Sequence, residues 1–227
     1  MEVWYATLDR SLEEIESYER LLSQEELARA KRFKNSIDRQ RYQVRQGILR
    51  ELLGGYLGCE PTQVEIHRDA NGKPFPAPRM NFDHLQFSDS HSENVAAFAF
   101  GRQERLGIDI EKIRELSEML EIVEAQFTQK ENQEMLNCPE DRRLGLFYRF
   151  WTRKEAVLKA QGEGLLLPLN CVDVSVDREG HPFKVRVLGE GAVEEFLVED
   201  IQAPLGFAAA VAVDGALDVE ISIIWDK

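Results

Sequence analysis

The sequence contains no long hydrophobic run. In 227 residues the longest uninterrupted apolar stretch is residues 207–213, far short of the ~20 apolar residues that span a bilayer as a helix. The charged residues Glu2, Asp9 and Arg10 near the start do not fit the pattern of a secretory signal. We therefore expect no membrane association and a cytoplasmic location.

Cysteine is scarce as well. The three cysteines, Cys59, Cys138 and Cys171, are widely separated and form no Cys-x-x-Cys spacing. This pattern argues against both a disulfide framework and a cysteine-based zinc site. We predict that all three are reduced and serve as packing residues.

The chain has no general excess of positive charge. Its formal net charge is -13, whereas proteins that bind nucleic acid present broad basic surfaces, so we expect no nucleic-acid partner. Residues 29–50 are the exception, with eight basic residues and a single acidic one. Such a segment indicates either local recognition of an anion or an ordinary solvated helix surface.

Hydrophobic periodicity predicts an α+β fold in which one order of elements, a strand, helices and antiparallel strands, occurs twice. Two alanine-rich segments, 94–100 and 207–213, close the two repeats, so we divide the chain into halves 1–103 and 104–227. The predicted strands are 3–8, 63–67, 85–88, 94–100, 105–111, 172–176, 183–188, 193–199, 207–213 and 219–224, and the predicted helices are 23–33, 38–57, 117–126, 128–136 and 141–161.

Two motifs place carboxylates where they can meet. Asp109 and Glu111 lie two residues apart in a predicted strand, a spacing that aims both side chains to the same side. One face of the predicted helix 141–161 carries Trp151, Lys154, Glu155, Leu158 and Lys159. Carboxylate oxygens favour Mg²⁺, which commonly also binds substrate phosphate. Taken alone, Glu155 and Lys159 are better explained as a surface ion pair. Asp109 and Glu111 taken alone fit a polar strand face about as well as a metal site.

Taken together, these motifs resemble those of the Sfp-type 4'-phosphopantetheinyl transferases. The resemblance covers about residues 29–169, and its elements occur in the family's order and spacing. The matching segments are Gly72-Lys73-Pro74, Phe87-Ser88-Asp89-Ser90-His91, Gly107-x-Asp109-x-Glu111, Trp151-x-x-Lys154-Glu155-x-x-x-Lys159 and Gly162-Glu163-Gly164-Leu165. The chain departs from the family at Ser88, where asparagine is usual, and has a charged Asp89 beside it.

The resemblance implies a fold and a reaction. The fold is two similar α+β halves related by pseudo-twofold symmetry, with the active site in the cleft between them, and a chain that carries both halves is expected to be a monomer. The reaction transfers 4'-phosphopantetheine from coenzyme A to a serine of an apo acyl, peptidyl or aryl carrier protein. It depends on Mg²⁺ and releases adenosine 3',5'-bisphosphate.

The resemblance also implies roles for individual residues. Asp109, Glu111 and Glu155 match the magnesium ligands, with Glu155 as the base that takes the serine proton, directly or through water. Lys159 is expected to assist the leaving phosphate, and His91 joins Glu155 and Lys159 in the catalytic set. The residues expected to bind coenzyme A are Arg41, Lys73, Ser90, His91 and Lys159, with Arg29 and Lys31 as further candidates for its 3'-phosphate.

Three further residues have structural interpretations. Glu131 matches an acidic position often seen in the family, but with Thr128 it also forms a capping box, which is at least as good an explanation. Phe147 and Trp151 are interpreted as core anchors of the catalytic helix.

Two other functions remain open. One is a non-catalytic protein that binds coenzyme A or a nucleotide, and the other is a magnesium-dependent phosphohydrolase. The joint presence of the acidic residues and Lys159 favours the transferase over a pure binder. For carrier docking the candidate surfaces are the helix containing Arg39–Arg50 and the region Ser117–Leu136, with Met119, Leu120 and Met135 as its apolar residues.

Overall fold

The computed structural model of this chain describes residues 1–102, 105–162, 168–175, 182–188, 193–216 and 218–222. For residues 221 and 222 it describes the backbone only. The helices are α1 Leu12–Glu19, α2 Gln24–Ala30, α3 Ser36–Leu57, α4 Met119–Gln126, α5 Gln129–Asn137 and α6 Glu140–Gln161. The strands are β1 Glu2–Thr7, β2 Ile66–Arg68, β3 Pro74–Pro76, β4 Leu85–Ser92, β5 Val95–Arg102, β6 Leu106–Lys112, β7 Phe183–Leu188, β8 Val193–Asp200, β9 Phe207–Val213 and β10 Glu220–Ser222. Among these residues no helix has the length and apolar character needed to cross a membrane.

Two four-stranded sheets share a unit of three antiparallel strands. The first has the order β10-β1-β5-β4 and the second the order β6-β9-β8-β7. In the first sheet, β1 pairs antiparallel with the alanine-rich β5, which pairs antiparallel with β4. In the second sheet, β6 pairs antiparallel with the alanine-rich β9, which pairs antiparallel with β8. Each half also contains one helix of 22 residues, α3 or α6. This repetition confirms the predicted pair of similar α+β halves.

The end of the chain returns to the first sheet. Strand β10 pairs parallel with β1, with Val3 opposite Ile221. The first sheet therefore contains strands from both ends of the sequence. A chain division between residues 103 and 104 stays a prediction.

Small residues allow α6 to lie directly on the second sheet. A Cβ atom added to Gly107 on β6 would lie 2.1 Å from the carbonyl oxygen of Ala156 and 2.5 Å from the nitrogen of Ala160. Ala210 and Ala212 on the neighbouring β9 are fully buried in the same core. The two elements that carry the predicted motifs, β6 and α6, are thus in backbone contact.

Some elements differ from the sequence predictions in the first half. Helix α1 was not predicted, because only eight residues with two buried side chains, Ile15 and Tyr18, give little periodicity, although a Ser11/Glu14 capping box begins it. Residues Pro61–Gln63 form a 3₁₀ turn, and the strand expected at 63–67 is β2. The strand predicted at 85–88 continues to Ser92, so Ser90 and His91 lie on β4 and not in a loop.

The strand predicted at 172–176 is wrong for its described part, residues 172–175, which pair with no strand. Buried side chains supply the backbone partners here. Lys154 donates to the carbonyls of Leu169 and Val172, Val174 donates its N–H to Glu131, and Arg153 donates to the Val174 carbonyl. Because these polar groups are already satisfied, the segment does not require a sheet neighbour.

The cysteine prediction is only partly confirmed. All three cysteines are free, as expected. Cys59 and Cys138 are half-buried, but Cys171 is exposed and is not a packing residue. The chain around it is held through the side chain of Lys154 instead.

Candidate active site

Three serines of β4 join the two halves. Ser88, Ser90 and Ser92 alternate along the strand and therefore point to one side. The Ser88 hydroxyl accepts the Ile108 N–H at 3.2 Å, and the Ser92 hydroxyl accepts the Lys112 N–H at 3.0 Å, so both bind the backbone of β6. Ser88, the departure from the family motif, thus has a structural role at the seam between the halves.

The predicted residues Ser90, Asp109 and Lys159 meet at this seam. The Lys159 ammonium lies 2.7 Å from Asp109 Oδ1, 2.9 Å from the Ser90 hydroxyl and 3.1 Å from the Ile108 carbonyl. The Ser90 hydroxyl in turn donates to Asp109 Oδ1 at 2.7 Å. Three elements, β4, β6 and α6, therefore bring one hydroxyl, one carboxylate and one ammonium together.

Glu111 and Glu155 lie in the electrostatic field of Asp109. Burial raises the pKa of Glu155, the negative charge of Asp109 raises it further, and Lys159 partly opposes them. Burial likewise raises the pKa of Glu111, against a hydrogen bond of 2.7 Å from the Ser92 hydroxyl. Asp109 Oδ2 is buried and has no hydrogen-bond partner among the described residues. This cluster carries negative charge that a bound cation would stabilise.

The donor set suits a hard divalent cation, but its atoms are not yet gathered around one point. Within the described part of the chain, no three His, Cys, Asp or Glu side chains are positioned to hold a metal ion jointly. Asp109 offers its unpartnered Oδ2, while its Oδ1 is engaged by Lys159. A site that used Asp109, Glu111 and Glu155 together would need these side chains in a different arrangement from the one seen here.

Lys154 does not belong to this cluster, although it shares a helical face with Glu155 in the sequence. Its ammonium is fully buried and lies 2.7 Å from a carboxylate oxygen of Glu131, which is also fully buried. Glu131 forms the predicted capping box with Thr128. Of the two lysines on this face, only Lys159 contacts the carboxylate of Asp109.

The core role predicted for the aromatic residues of α6 is confirmed for Phe147. It is buried, and its ring stacks on Phe127 and on Trp151 at centroid distances of 5.5 and 5.9 Å. Trp151 is half-buried and packs against the same core.

Helix α3 lines the cleft with arginines that already have carboxylate partners. Arg41 binds Asp9 through two hydrogen bonds of 2.7 and 3.1 Å and lies 3.6 Å from Glu93. Arg45, one turn later, lies 2.6 Å from Asp89 on β4. An anion that binds here competes with these carboxylates for the guanidinium groups. Arg45 was not among the residues expected to bind coenzyme A, although its spacing of four from Arg41 within the basic segment places both on one face.

His91 follows Asp89 on the same face of β4. The residue as a whole is exposed, yet desolvation of the ring and the positive charge of Arg45 lower its pKa to about 4. The imidazole is therefore neutral near pH 7 in the absence of a ligand. It becomes a cation only where a bound anion stabilises the proton.

Two adjoining cavities form the cleft. One, of about 220 Å³, is lined by residues that include Arg29, Tyr42, Arg45 and Arg68. The other, of about 240 Å³, reaches Lys159 and Gly162. Asp89 and Pro74 line both, so the basic wall of α3 leads to the seam. Of the motif Gly162-Glu163-Gly164-Leu165, residues 163–165 lie outside the described part of the chain.

Lys73 is directed into the seam. Its ammonium lies 3.2 Å from the carbonyl oxygens of Leu106 and of Ala160, the latter in the last turn of α6, where the helix dipole favours a cation. Burial lowers the pKa of Lys73 to about 8. Its charged neighbours include Asp69 and Arg105, whereas those of Arg41 are Asp9, Glu93 and Asp38. Arg41 and Lys73, both expected to bind coenzyme A, thus lie in different surroundings.

Comparison with known proteins gives consistent similarities. Residues 105–212 match the family model described as "4'-phosphopantetheinyl transferase superfamily", and residues 7–102 match the one described as "4'-phosphopantetheinyl transferase, N-terminal". The chain is 34% identical over 213 residues to 4'-phosphopantetheinyl transferase HetI of Nostoc sp., covering 94% of this chain and 87% of that protein. It is 30% identical over 182 residues to 4'-phosphopantetheinyl transferase Sfp of Bacillus subtilis, covering 79% of each.

A solved structure is also similar over part of the chain. The holo-[acyl-carrier-protein] synthase of Thermotoga maritima matches with a TM-score of 0.33 and 19% identity, over 48% of this chain and 61% of that one.

Proposed function

This chain belongs to the Sfp-type 4'-phosphopantetheinyl transferase family, and we propose that it uses coenzyme A and Mg²⁺ to modify a serine of an apo carrier protein. Transfer of phosphopantetheine to carrier proteins is the activity of this family. The observation that supports this site most directly is the junction of Ser90, Asp109 and Lys159 at the seam, with Glu155 in the same electrostatic field.

The proposed reaction is a phosphoryl transfer. The serine hydroxyl oxygen of the carrier attacks the pantetheine-side phosphorus of coenzyme A, and the bond from that phosphorus to the bridging oxygen breaks. Adenosine 3',5'-bisphosphate leaves with the bridging oxygen, while the serine proton passes to Glu155. Without a bound cation, burial and the charge of Asp109 raise the pKa of Glu155, and a carboxylate with a raised pKa is a better base near neutral pH. Mg²⁺ bound directly to Glu155 would oppose this rise, so its role as base rests on the family resemblance.

Lys159 is proposed to stabilise the leaving phosphate. Its ammonium already lies at the seam, it is 30% exposed, and a phosphate oxygen can replace one of its three present acceptors. A charge-assisted hydrogen bond to the group that gains negative charge lowers the barrier. His91, neutral without ligand, adds positive charge to this region when an anion raises its pKa.

Asp109, Glu111 and Glu155 are the proposed magnesium ligands. When bound, Mg²⁺ would neutralise the charge of the diphosphate. The hydroxyls of Ser90 and Ser92 on β4 donate hydrogen bonds to Asp109 and Glu111 on β6 and thereby orient these carboxylates.

Coenzyme A is proposed to lie along the two cavities and to be bound by Arg41, Lys73, Ser90, His91 and Lys159. Of these residues, Lys73 and Lys159 line the second cavity, whereas Arg41, Ser90 and His91 line neither. The arginine-lined wall supports a phosphate there, because guanidinium groups match phosphate geometry. We expect Arg41→Ala or Lys73→Ala to raise the KM for coenzyme A more than that for dephospho-coenzyme A, for whichever residue contacts the 3'-phosphate. Equal losses with both substrates would remove that residue from the 3'-phosphate.

The carrier surface must be corrected at one residue. Met135 was a candidate, but it is 1% exposed and belongs to the core. Leu120 and Leu136 are 57% and 73% exposed. We propose these leucines as the apolar contact for the carrier protein, with the enzyme acting as a monomer.

The test is incubation with coenzyme A, Mg²⁺ and a panel of apo carrier proteins, followed by intact-mass measurement. A transferase adds phosphopantetheine to the carrier. A non-catalytic binder leaves every carrier unchanged, and a phosphohydrolase releases free phosphopantetheine without a carrier.

A further inference from the structure

Helix α6 carries three consecutive charged residues whose side chains go to three different places. Arg153 is fully buried and binds Asp200 on β8 through two hydrogen bonds of 2.7 and 2.6 Å. Lys154 is fully buried and binds Glu131 on α5 at 2.7 Å. Glu155 alone of the three is partly exposed, and it lies in the electrostatic field of Asp109 and Lys159 at the seam. In a helix the direction of each side chain fixes the direction of the next, about 100° away.

The pair of Glu131 and Lys154 is saturated with hydrogen bonds. The Glu131 carboxylate accepts the N–H groups of Thr128 at 2.7 Å and Val174 at 2.8 Å in addition to the ammonium. The Lys154 ammonium also donates to the carbonyls of Leu169, at 2.9 Å, and Val172. These contacts tie α5, α6 and the segment 169–174 to one point.

Stability alone does not explain such a pair. Removing two charges from water costs free energy that their attraction often only balances, and apolar residues of similar volume are commonly as stable. A saturated ion pair does impose direction, because each of its bonds has a preferred geometry. A directional constraint next to Glu155 therefore points to a function in the placement of that residue.

We propose that Glu131 and Lys154 are positioning residues for the transfer reaction. They hold α6 in the rotation that presents Glu155 to the cleft, and they fix segment 169–174 against the same helix. This inference rests on the proposed role of Glu155. It also assigns Glu131 to the orientation of the catalytic helix and not to contact with the substrate.

Small rotations of α6 have large effects at the site. A glutamate carboxylate lies roughly 6 Å from the helix axis, so a rotation of about 10° moves it by about 1 Å. A displacement of about 1 Å from the reactive position can lower a rate by about 10²-fold.

The test is the double variant Glu131→Gln/Lys154→Met, which removes both charges and keeps the approximate volumes. We expect kcat to fall by about 10²-fold, while the KM for coenzyme A changes by less than about threefold. The matched control is Val185→Ala, a buried residue on the edge strand β7. Each variant is assayed at the temperature at which the same fraction of its molecules is folded, so that a loss of stability is not mistaken for a loss of alignment. The control should keep its kcat per folded molecule.

A double-mutant cycle with Glu155→Gln distinguishes this inference from the proposed function. If the pair acts through Glu155, its removal should lower single-turnover transfer by less than about threefold in the Glu155→Gln background. A wild-type kcat in the double variant, or an equal loss in both backgrounds, overturns the positioning role while the proposed function stands. If the double variant does not fold, Glu131→Gln alone is measured by the same cycle. Full activity of Glu155→Gln itself would remove Glu155 from the mechanism and with it the premise of this inference, whereas the proposed function fails only if the wild-type protein leaves every carrier unmodified.

Discussion

Substitution of Gly107 by alanine should separate β6 from α6 and thereby open the site. The added Cβ would lie 2.1 Å from the Ala156 carbonyl and 2.5 Å from the Ala160 nitrogen, both backbone atoms that cannot rotate away. Reaching even 3.0 Å, below which real Cβ contacts are essentially never found, requires the helix to move by roughly 1 Å, as expected for an interior without free space. The pair of Lys159 and Asp109, now 2.7 Å apart, spans this same contact.

Both stability and rate should respond. Overpacking typically costs about 1–3 kcal/mol, and we expect at least the upper value because the obstacle is backbone. For a chain of this size, about 3 kcal/mol corresponds to a fall in Tm of roughly 6–12 °C. The displacement of roughly 1 Å should lower kcat by about 10²-fold in the folded fraction.

The assay combines thermal unfolding followed by circular dichroism with carrier modification followed by intact mass. Gly145→Ala is the matched control, because Gly145 lies on α6 and its added Cβ would meet no atom within 4 Å. Glycine to alanine within a helix should stabilise this control by about 0.5–1 kcal/mol. A Gly107→Ala variant with the Tm and kcat of the wild type would refute the packing argument.

Four other predictions address single residues. Glu155→Gln should lower kcat by about 10²–10⁴-fold with unchanged coenzyme A binding by calorimetry, and near wild-type turnover would remove Glu155 from the mechanism. Asp109→Ala and Glu111→Ala should raise the Mg²⁺ concentration needed for half-maximal rate, whereas an unaltered Mg²⁺ dependence would make them structural. The pKa of Lys73 is about 8 instead of the ordinary 10.5, so rising pH removes its charge and coenzyme A affinity should weaken above about pH 8. Lys73→Arg should abolish this pH dependence. A coenzyme A affinity that does not change with pH in the wild type would contradict the prediction. Leu120→Glu should raise the KM for the carrier but not the KM for coenzyme A. Moderate salt should leave carrier affinity unchanged or slightly improved, because the net charge of -13 repels acidic carriers only at long range. A steep loss of carrier affinity with rising salt would instead indicate that the basic segment 29–50 binds the carrier.

Local spacing was sufficient to predict the elements that carry the site. Asp109 and Glu111 lie on β6 as their spacing of two indicated, and Glu155 and Lys159 lie on α6 within one residue of its predicted limits. The two alanine-rich segments are the corresponding strands of the two sheets. These predictions succeed because each depends on a period of 2 or 3.6 residues within one element.

Pairings between distant residues could not be predicted in the same way. Lys154 belongs to the same helical stripe as Glu155, yet burial and the carboxylate of Glu131 direct it away from the carboxylates at the seam. Arg45 meets Asp89 across 44 positions of sequence, and Lys73 meets the end of α6 across 87. Such contacts depend on how the elements pack, which hydrophobic periodicity does not encode.

Transfer of phosphopantetheine to a carrier is best checked by measuring both products of one reaction. The protein, coenzyme A, Mg²⁺ and an apo carrier are incubated, and the carrier mass and free adenosine 3',5'-bisphosphate are measured together. We expect one phosphopantetheine on the carrier serine for each bisphosphate released, with both products lost in Glu155→Gln. An unmodified carrier across the whole panel, or bisphosphate released without carrier modification, would contradict it.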